Sequence, residues 1–128
     1  MKKIFAIFLL LTSTSFAVNS AELKFICYQD INECDTIADM AKSWEASSGH
    51  TLNIETVGYE VIREQLENQL ESGAAPDLAR VTNLGGLNKF YLDLKPYIDA
   101  TYWEQNYGAT LPWYRKPSGD DGIYGWQT

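Results

Sequence analysis

The chain has 128 residues, with 10 Lys and Arg against 17 Asp and Glu, and its formal net charge is −7. A net negative chain without a cluster of basic residues argues against binding to nucleic acid or to an anionic membrane surface. The charge does not identify a ligand, because an acidic surface also serves solubility alone.

The first 20 residues have the layout of a secretory signal peptide. A positive start at Lys2 and Lys3 precedes the unbroken apolar run 4–11, and cleavage-type sequences end at Ala17 or Ser20. The apolar run is far shorter than the roughly 20 residues of a spanning helix, so membrane insertion is not expected. No cysteine follows the run at the junction, which argues against a lipid anchor. We therefore expect an exported chain.

Three runs of alternating or β-branched residues predict strands, over 23–28, 51–57 and 77–82. Helical patterns stand between and after them, so that the element order is β-α-β-α-β-α. Strands that alternate with helices of this length are joined by right-handed crossovers. The sequence therefore predicts an α/β fold, a parallel sheet with helices packed on its faces.

Apolar residues spaced three and four apart predict the helices. The first helix begins at a cap formed by Asn32 or Asp35 and stops at Gly49. Its buried face is expected to hold Ile37, Met40, Ala41 and Trp44. The second helix stops at Gly73, and its apolar face comprises Tyr59, Ile62, Leu66 and Leu70. A short helical stretch follows over 87–90.

Cys27 and Cys34 are the two cysteines of the chain. They are either bonded to each other or both unpaired, and the exported compartment favours a disulfide. A metal site built on the two thiols lacks partners, because the single histidine, His50, stands alone in a turn. Neither state of the cysteines is catalytic.

In a parallel sheet of this kind, a ligand binds in the crevice beyond the carboxyl ends of the strands. The residues that follow the strands are therefore the candidates for a binding site. They are Tyr28-Gln29-Asp30, Gly58-Tyr59 and Thr82-Asn83-Leu84.

From Tyr91 onward the chain is rich in aromatic residues, Pro, Gly and Asp, and its periodicity is weak. We expect short helical turns, a Gly/Asp turn over 118–122, and then the start of a strand. Aromatic faces stack on the C–H faces of sugars, but aromatic rings more often pack in a core. For Trp44 the core is favoured, whereas for Tyr28 and Trp126 the two roles are equally supported.

Catalytic signatures are absent from the sequence. There is no Gly-x-Ser-x-Gly elbow, His-Glu-x-x-His pair or glycine-rich phosphate loop. Asp120 and Asp121 stand beside Gly122, and adjacent acids in that setting usually initiate a turn. We expect no enzymatic activity and no cofactor.

Four stretches together resemble the extracellular solute-binding proteins of sugar ABC transporters. The stretches are "KSWEASSGHTLNIETVGYEVIREQL", "ESGAAPDLARV", "YLDLKPYID" and "GIYGWQT". They cover essentially the whole chain after the leader in the family's order. Each one alone is a weak signal.

The resemblance implies a periplasmic, monomeric receptor of two α/β lobes that close on a sugar or oligosaccharide and deliver it to a membrane permease. It further implies that this chain is the first segment of the N-terminal lobe, with a leader over 1–20, the lobe over 21–122 and a crossover strand starting in 123–128. On this basis the sequence is cut off at the hinge. The ligand-facing positions carried over from the family are Tyr28, Asp30, Thr82, Asn83, Trp126 and, less firmly, Arg80.

Two departures from the family pattern leave the solute open. Gln127 stands where Pro is common after the "YG" pair, and 80–83 lacks the aromatic or acidic residue found in many sugar binders. A non-sugar solute is therefore an alternative. Strand alternation also allows Arg80 to face solvent. A secreted sugar hydrolase is the alternative from another class, although Asp30 has no evident carboxylate partner.

Overall fold

The computed structural model describes residues 19–82, 86–115 and 119–125. The strands in this part of the chain are β1 (Glu22–Tyr28), β2 (Thr51–Val57) and β3 (Leu78–Ala79). They form a parallel sheet in the order β2-β1-β3. The connecting helices are α1 (Glu33–Ser48) and α2 (Tyr59–Ser72). The predicted α/β fold, with a parallel sheet and flanking helices, is confirmed.

Short helices follow the sheet. Two 3₁₀ turns, Asn88–Phe90 and Lys95–Tyr97, precede α3 (Ala100–Tyr107) and α4 (Leu111–Tyr114). The first of these turns is the predicted helical stretch over 87–90. None of the helices in the described ranges is long and apolar enough to cross a membrane.

Strands β1 and β2 run in register from Glu22 opposite Thr51 to Tyr28 opposite Val57. Their carboxyl ends therefore lie side by side at one edge of the sheet. The chain that follows each of these strands starts from that same edge.

Strand β3 is shorter than the predicted 77–82. The carboxylate of Asp77, rather than its backbone, accepts a hydrogen bond from the Lys24 N–H at 2.8 Å. After Ala79, the Arg80 N–H donates to the Ile26 carbonyl at 3.0 Å and extends the ladder by one bond. The chain then leaves the sheet, so the strand prediction was right in position and wrong in length.

Helix α1 buries only part of its predicted face: Ile37 and Ala41 are half-buried as expected, whereas Met40 and Trp44 are exposed. Its buried or half-buried residues are Glu33, Cys34, Ile37, Ala38, Ala41, Glu45 and Ser48. Met40 is 69% exposed and Trp44 is 37% exposed, so their placement in the core was wrong. Cys34 is bonded to Cys27, and the Glu45 carboxylate accepts from the Leu52 N–H at 2.7 Å. These two anchors fix the rotation of the helix and turn Met40 and Trp44 outward.

Glycines end both long helices, as predicted. Gly49 and Gly73 each have a φ of 73°, in the left-handed region that favours glycine, and their N–H groups bond to the last turns of α1 and α2. Helix α2 buries Ile62 and Leu66 on the expected face, while Tyr59 is 43% exposed.

The described residues bury two apolar clusters. The sheet core consists of Ile26, Tyr28, Ile62, Leu66 and Leu87. The distal core consists of Trp103, Leu111 and Ile123, with half-buried Leu94, Ile98, Ala100 and Tyr107 packed around it. The distal core attaches the predicted terminal segment to the short helices.

Of the predicted terminal strand, the structure describes residues 123–125, and these are not in a strand. The Ile123 carbonyl accepts from the Leu94 N–H at 2.7 Å, and its N–H donates to the Asp93 carboxylate at 2.9 Å. Of the predicted turn over 118–122, the structure describes residues 119–122, and there the Asp120 carboxylate accepts from the Gly122 N–H at 3.3 Å. The division of the chain into a leader, a lobe and a crossover stays a prediction.

Candidate functional site

A disulfide joins the carboxyl end of β1 to the first turn of α1. It links Cys27 and Cys34, which are 0% and 1% exposed. The sequence left this bond and a pair of free thiols open, and the structure contains the bond. The loop of residues 29–32 is therefore closed at both ends beside the edge where β1 and β2 finish.

Side chains from three elements meet at that edge. The rings of Tyr28 and Tyr59 pack edge to face with their centroids 5.2 Å apart. The Tyr59 hydroxyl shares a 3.1 Å hydrogen bond with the Thr82 hydroxyl. We call the surface formed by Tyr28, Asp30, Tyr59, Arg80 and Thr82 the rim. It corresponds to the crevice that the strand order predicted.

Arg80 lies over Tyr28 in the rim. The centre of its guanidinium group is 4.0 Å from the ring centroid, and Nη1 donates to the Tyr28 carbonyl at 2.6 Å. Its Nη2 lies 3.6 Å from the Glu33 carboxylate and 4.0 Å from that of Asp30. The Arg80 side chain is 20% exposed, so it points neither freely to solvent nor into the sheet core.

Glu33 holds the loop after β1. Its Oε2 accepts from the Ile31 N–H at 2.9 Å and from the Asp30 N–H at 3.2 Å. These bonds, that of Ile31 first, together with the positive charge of Arg80, keep the pKa of the Glu33 carboxyl below its ordinary value. The ionised form is therefore the one that fits this loop.

A shallow groove runs beside the rim between α2 and the chain after β3. Its lining comprises Tyr59, Ile62, Arg63, Glu67, Val81, Thr82 and Leu87. The Tyr59–Thr82 hydrogen bond joins two residues that belong to both surfaces. The rim and the groove thus form one continuous surface with an apolar floor and polar edges.

The structure brings four of the six sequence-predicted site residues to the rim. Tyr28 is buried, with a 6% exposed side chain, whereas Asp30 and Thr82 are exposed. Arg80 lies on the same side as the Tyr28 ring and carbonyl. Asn83 and Trp126 lie outside the described residues. Whether any of the six contacts a ligand stays a prediction.

Tyr59 of the rim and Glu33 next to it were absent from the positions carried over from the family. Tyr59 was recognised as following a strand, yet the resemblance did not carry it over. Glu33 looked like an ordinary residue in the first turn of a helix, and its role depends on backbone groups of its own loop. The signal for Glu33 was its position three residues after Asp30, which suits a side chain that reaches back to free N–H groups.

Among the described residues that directly follow the three strands, Arg80 is the basic one. Asp30, Glu33 and Asp35 lie in the loop and first turn after β1, and Glu60 begins α2. The described residues contain no group of three or more His, Cys, Asp or Glu side chains arranged to hold a metal ion. The surface is therefore acidic, and its positive charges are already next to carboxylates: Arg80 lies near Asp30 and Glu33, and Arg63 of the groove pairs with Glu60 and Glu64.

Solved structures share this fold. A periplasmic solute binding protein from Pectobacterium atrosepticum matches 82% of this chain with a TM-score of 0.63 and 19% identity. An ABC substrate-binding protein from Listeria monocytogenes in complex with cycloalternan matches 73% with a TM-score of 0.50 and 18% identity. The match covers 26% and 24% of those proteins, so this chain spans about a quarter of their length.

No protein-family model matches the chain, and no curated protein matches its sequence. The similarity therefore rests on the backbone. It places the sheet and its helices in the fold of part of a substrate-binding protein.

Proposed function

We propose that this chain is the first segment of the N-terminal lobe of a periplasmic solute-binding protein, which binds a sugar or oligosaccharide between two lobes and delivers it to the permease of an ABC importer. The observation that carries the proposal is the rim. It lies at the carboxyl ends of a parallel sheet whose fold is shared with two solute-binding proteins.

The exposed groups of the rim suit a polyhydroxylated solute. The Tyr59 ring is 43% exposed and offers a flat apolar face. The exposed Thr82 and Asp30 offer a hydroxyl and a carboxylate as hydrogen-bonding groups. An apolar floor with a few directed polar groups is the usual design of a small-ligand site. The Listeria protein was solved with cycloalternan, which supports an oligosaccharide.

The same proposal covers location and layout. A disulfide between buried cysteines is typical of an oxidising compartment, which supports export by a leader over 1–20. The lobe would occupy 21–122, and 123–128 would begin the crossover to the second lobe. Asn83 and Trp126 would complete the ligand contacts.

Such a receptor works by hinge closure without breaking a bond in its solute. The solute first contacts one lobe, and only the closed form adds the contacts of the other lobe. Because binding is tighter in the closed form, the solute shifts the population toward it. The closed form would then be the one that the permease recognises.

The test is equilibrium binding of labelled neutral oligosaccharides, with cycloalternan and linear maltotetraose as probes, to the protein in the form that the cell exports. Stoichiometric binding with every probe molecule recovered intact is expected. Hydrolysis of a probe would support the sugar hydrolase instead. Absence of binding to sugars, with binding to an amino acid or peptide, would indicate a non-sugar solute.

Residues 21–128 alone offer one side of the cleft. We expect their affinity for the same probes to be too weak for detection by calorimetry, because the contacts of the second lobe are missing. Tight binding by this segment would contradict the two-lobe proposal.

A further inference from the structure

We infer that Arg80 and Glu33 form a brace that positions the solute-facing side of the rim, and that Arg80 acts through this brace rather than by direct contact with the solute. The inference rests on the proposed function, since it assigns roles within the same site. It goes beyond the family resemblance, which places Arg80 among the ligand contacts.

The guanidinium group of Arg80 points at the last residue of β1. Nη1 is committed to the Tyr28 carbonyl at 2.6 Å, a short and strong hydrogen bond. The central carbon of the group lies over the Tyr28 ring, 4.0 Å from its centroid, as in a cation–π pair. Arg80 therefore holds both the backbone and the side chain of the last residue of β1.

Glu33 links Arg80 to the loop after β1. Nη2 of Arg80 lies 3.6 Å from Oε1 of Glu33, while the other oxygen of the same carboxylate holds the Asp30 and Ile31 N–H groups. One carboxylate thus connects the strand tip to the loop that presents the exposed Asp30. A continuous series of contacts therefore runs from the end of β3 to the loop: Arg80 contacts Glu33, and Glu33 holds the two backbone amides.

The groups of the rim differ in how far they are exposed. Arg80 is 20% exposed and Tyr28 is 6% exposed, whereas Asp30 is 70% exposed and Tyr59 is 43% exposed. Arg80 and Glu33, whose side chains are 20% and 34% exposed, are therefore less accessible than Asp30 and Tyr59. Because Glu33 and Asp30 surround the positive charge, this surface offers an anionic solute no unopposed cation.

The first experiment needs no ligand. Amide hydrogen exchange at Asp30 and Ile31 is measured by NMR in the wild-type chain and in the Arg80→Ala and Glu33→Gln variants. Exchange at both amides should accelerate about tenfold in each variant, because the charged acceptor or its partner is lost. Arg115→Ala is the matched control, since Arg115 also pairs with a carboxylate, that of Glu104, at a side chain 22% exposed. It should leave both amides unchanged.

The second experiment measures affinity for neutral maltotetraose and for tetragalacturonate in the exported protein. Arg80→Ala should weaken maltotetraose binding about tenfold, Glu33→Gln should reproduce the loss, and the double variant should lose no more than either single one. Arg80→Lys should fail to rescue, because an ammonium group cannot hold the Tyr28 carbonyl and cover its ring together. Tetragalacturonate should bind wild type more weakly than maltotetraose.

The two experiments separate the brace from the proposed function. Weakened maltotetraose binding with unchanged exchange in Arg80→Ala would show direct contact and overturn the brace. Faster exchange with unchanged maltotetraose binding would overturn the role of the brace in positioning the rim. Tighter binding of tetragalacturonate than of maltotetraose by the wild type would also overturn it. If wild type binds neither probe nor any other sugar, the proposed function fails, and the exchange experiment still decides whether the brace exists.

Discussion

The sheet region, residues 19–82, and the distal region, residues 86–115 and 119–125, are held together by different interactions. The sheet region relies on a backbone ladder with a register of seven residue pairs between β1 and β2, on two amphipathic helices and on a disulfide. Each of these features repeats or spans many residues. The loss of one contact leaves the others in place.

The distal region relies on single side chains. Asp93 accepts from the N–H groups of Lys95 and Ile123, and Asp99 accepts from those of Thr101 and Tyr102 at the start of α3. Trp103 is 2% exposed at the centre of the distal core. Irregular chain thus depends on a few carboxylates and one large ring, which makes it more sensitive to point substitutions than the sheet region.

Trp103→Ala tests this difference most strongly. We expect it to lower the free energy of unfolding by about 4 kcal/mol, because it empties the centre of the distal core. The measurement is urea unfolding followed by circular dichroism. Trp44→Ala is the matched control within the sheet region, and we expect a loss of no more than about 1 kcal/mol since that ring is already partly exposed.

Equal losses from the two tryptophan variants would contradict the distinction between the regions. A split of the Trp103→Ala transition into two steps would show that the distal region unfolds separately from the sheet.

The disulfide tests the sheet region in turn. Removing it with the paired Cys27→Ala and Cys34→Ala substitutions should lower the free energy of unfolding by about 2.5 kcal/mol, the loop-closure value for a bond that spans eight residues. The fold should survive, because the ladder and both helices remain. Dithiothreitol-treated wild type is the control, and it should match the double variant. Loss of the folded state in the variant would mean that the ladder alone is insufficient.

The part of the fold that could be predicted from sequence is the periodic part. Strand β2 was predicted with its observed ends, and the stops at Gly49 and Gly73 follow from the left-handed conformation that a glycine adopts there. The face of α1 could not be predicted in the same way. Its rotation depends on the Cys34 bond and on Glu45, which are contacts to other elements.

The edge of the sheet where the candidate residues lie could be predicted, because strand order predicts where the carboxyl ends meet. Tyr28, Asp30 and Thr82 lie at that edge, and their contact with a ligand stays a prediction. Which side chains face outward depends on packing: Tyr28 turns into the sheet core and Tyr59 remains exposed. A strand was predicted after the Gly/Asp turn, but residues 123–125 are irregular. Their β-favouring composition could not reveal this, because the segment is held by the Asp93 carboxylate, which accepts from the Ile123 N–H.

Asp93→Asn tests whether the charge of a single carboxylate stabilises the distal region, and its expected effect is the smallest of the three. Hydrogen bonds from the N–H groups of Ile123 and then Lys95 keep the pKa of the Asp93 carboxyl below its ordinary value of 3.8. The stabilisation is therefore complete above that value and is lost as the pH falls through the lowered pKa of the folded state. At pH 7 the variant should lose about 1 kcal/mol, since it keeps an acceptor and loses the charge.

The measurement is urea unfolding of wild type and variant at a series of pH values between 7 and 2.5. The difference between them should begin to shrink as the pH falls below 4, where the unfolded wild type takes up a proton at Asp93, and should vanish below the lowered pKa of the folded state, where Asp93 is neutral there as well. Asp99→Asn is the control: asparagine caps a helix as well as aspartate, so the change should stay within a few tenths of a kcal/mol. A difference for Asp93→Asn that stays constant across the pH series would show that shape, and not charge, attaches Ile123 to the short helices.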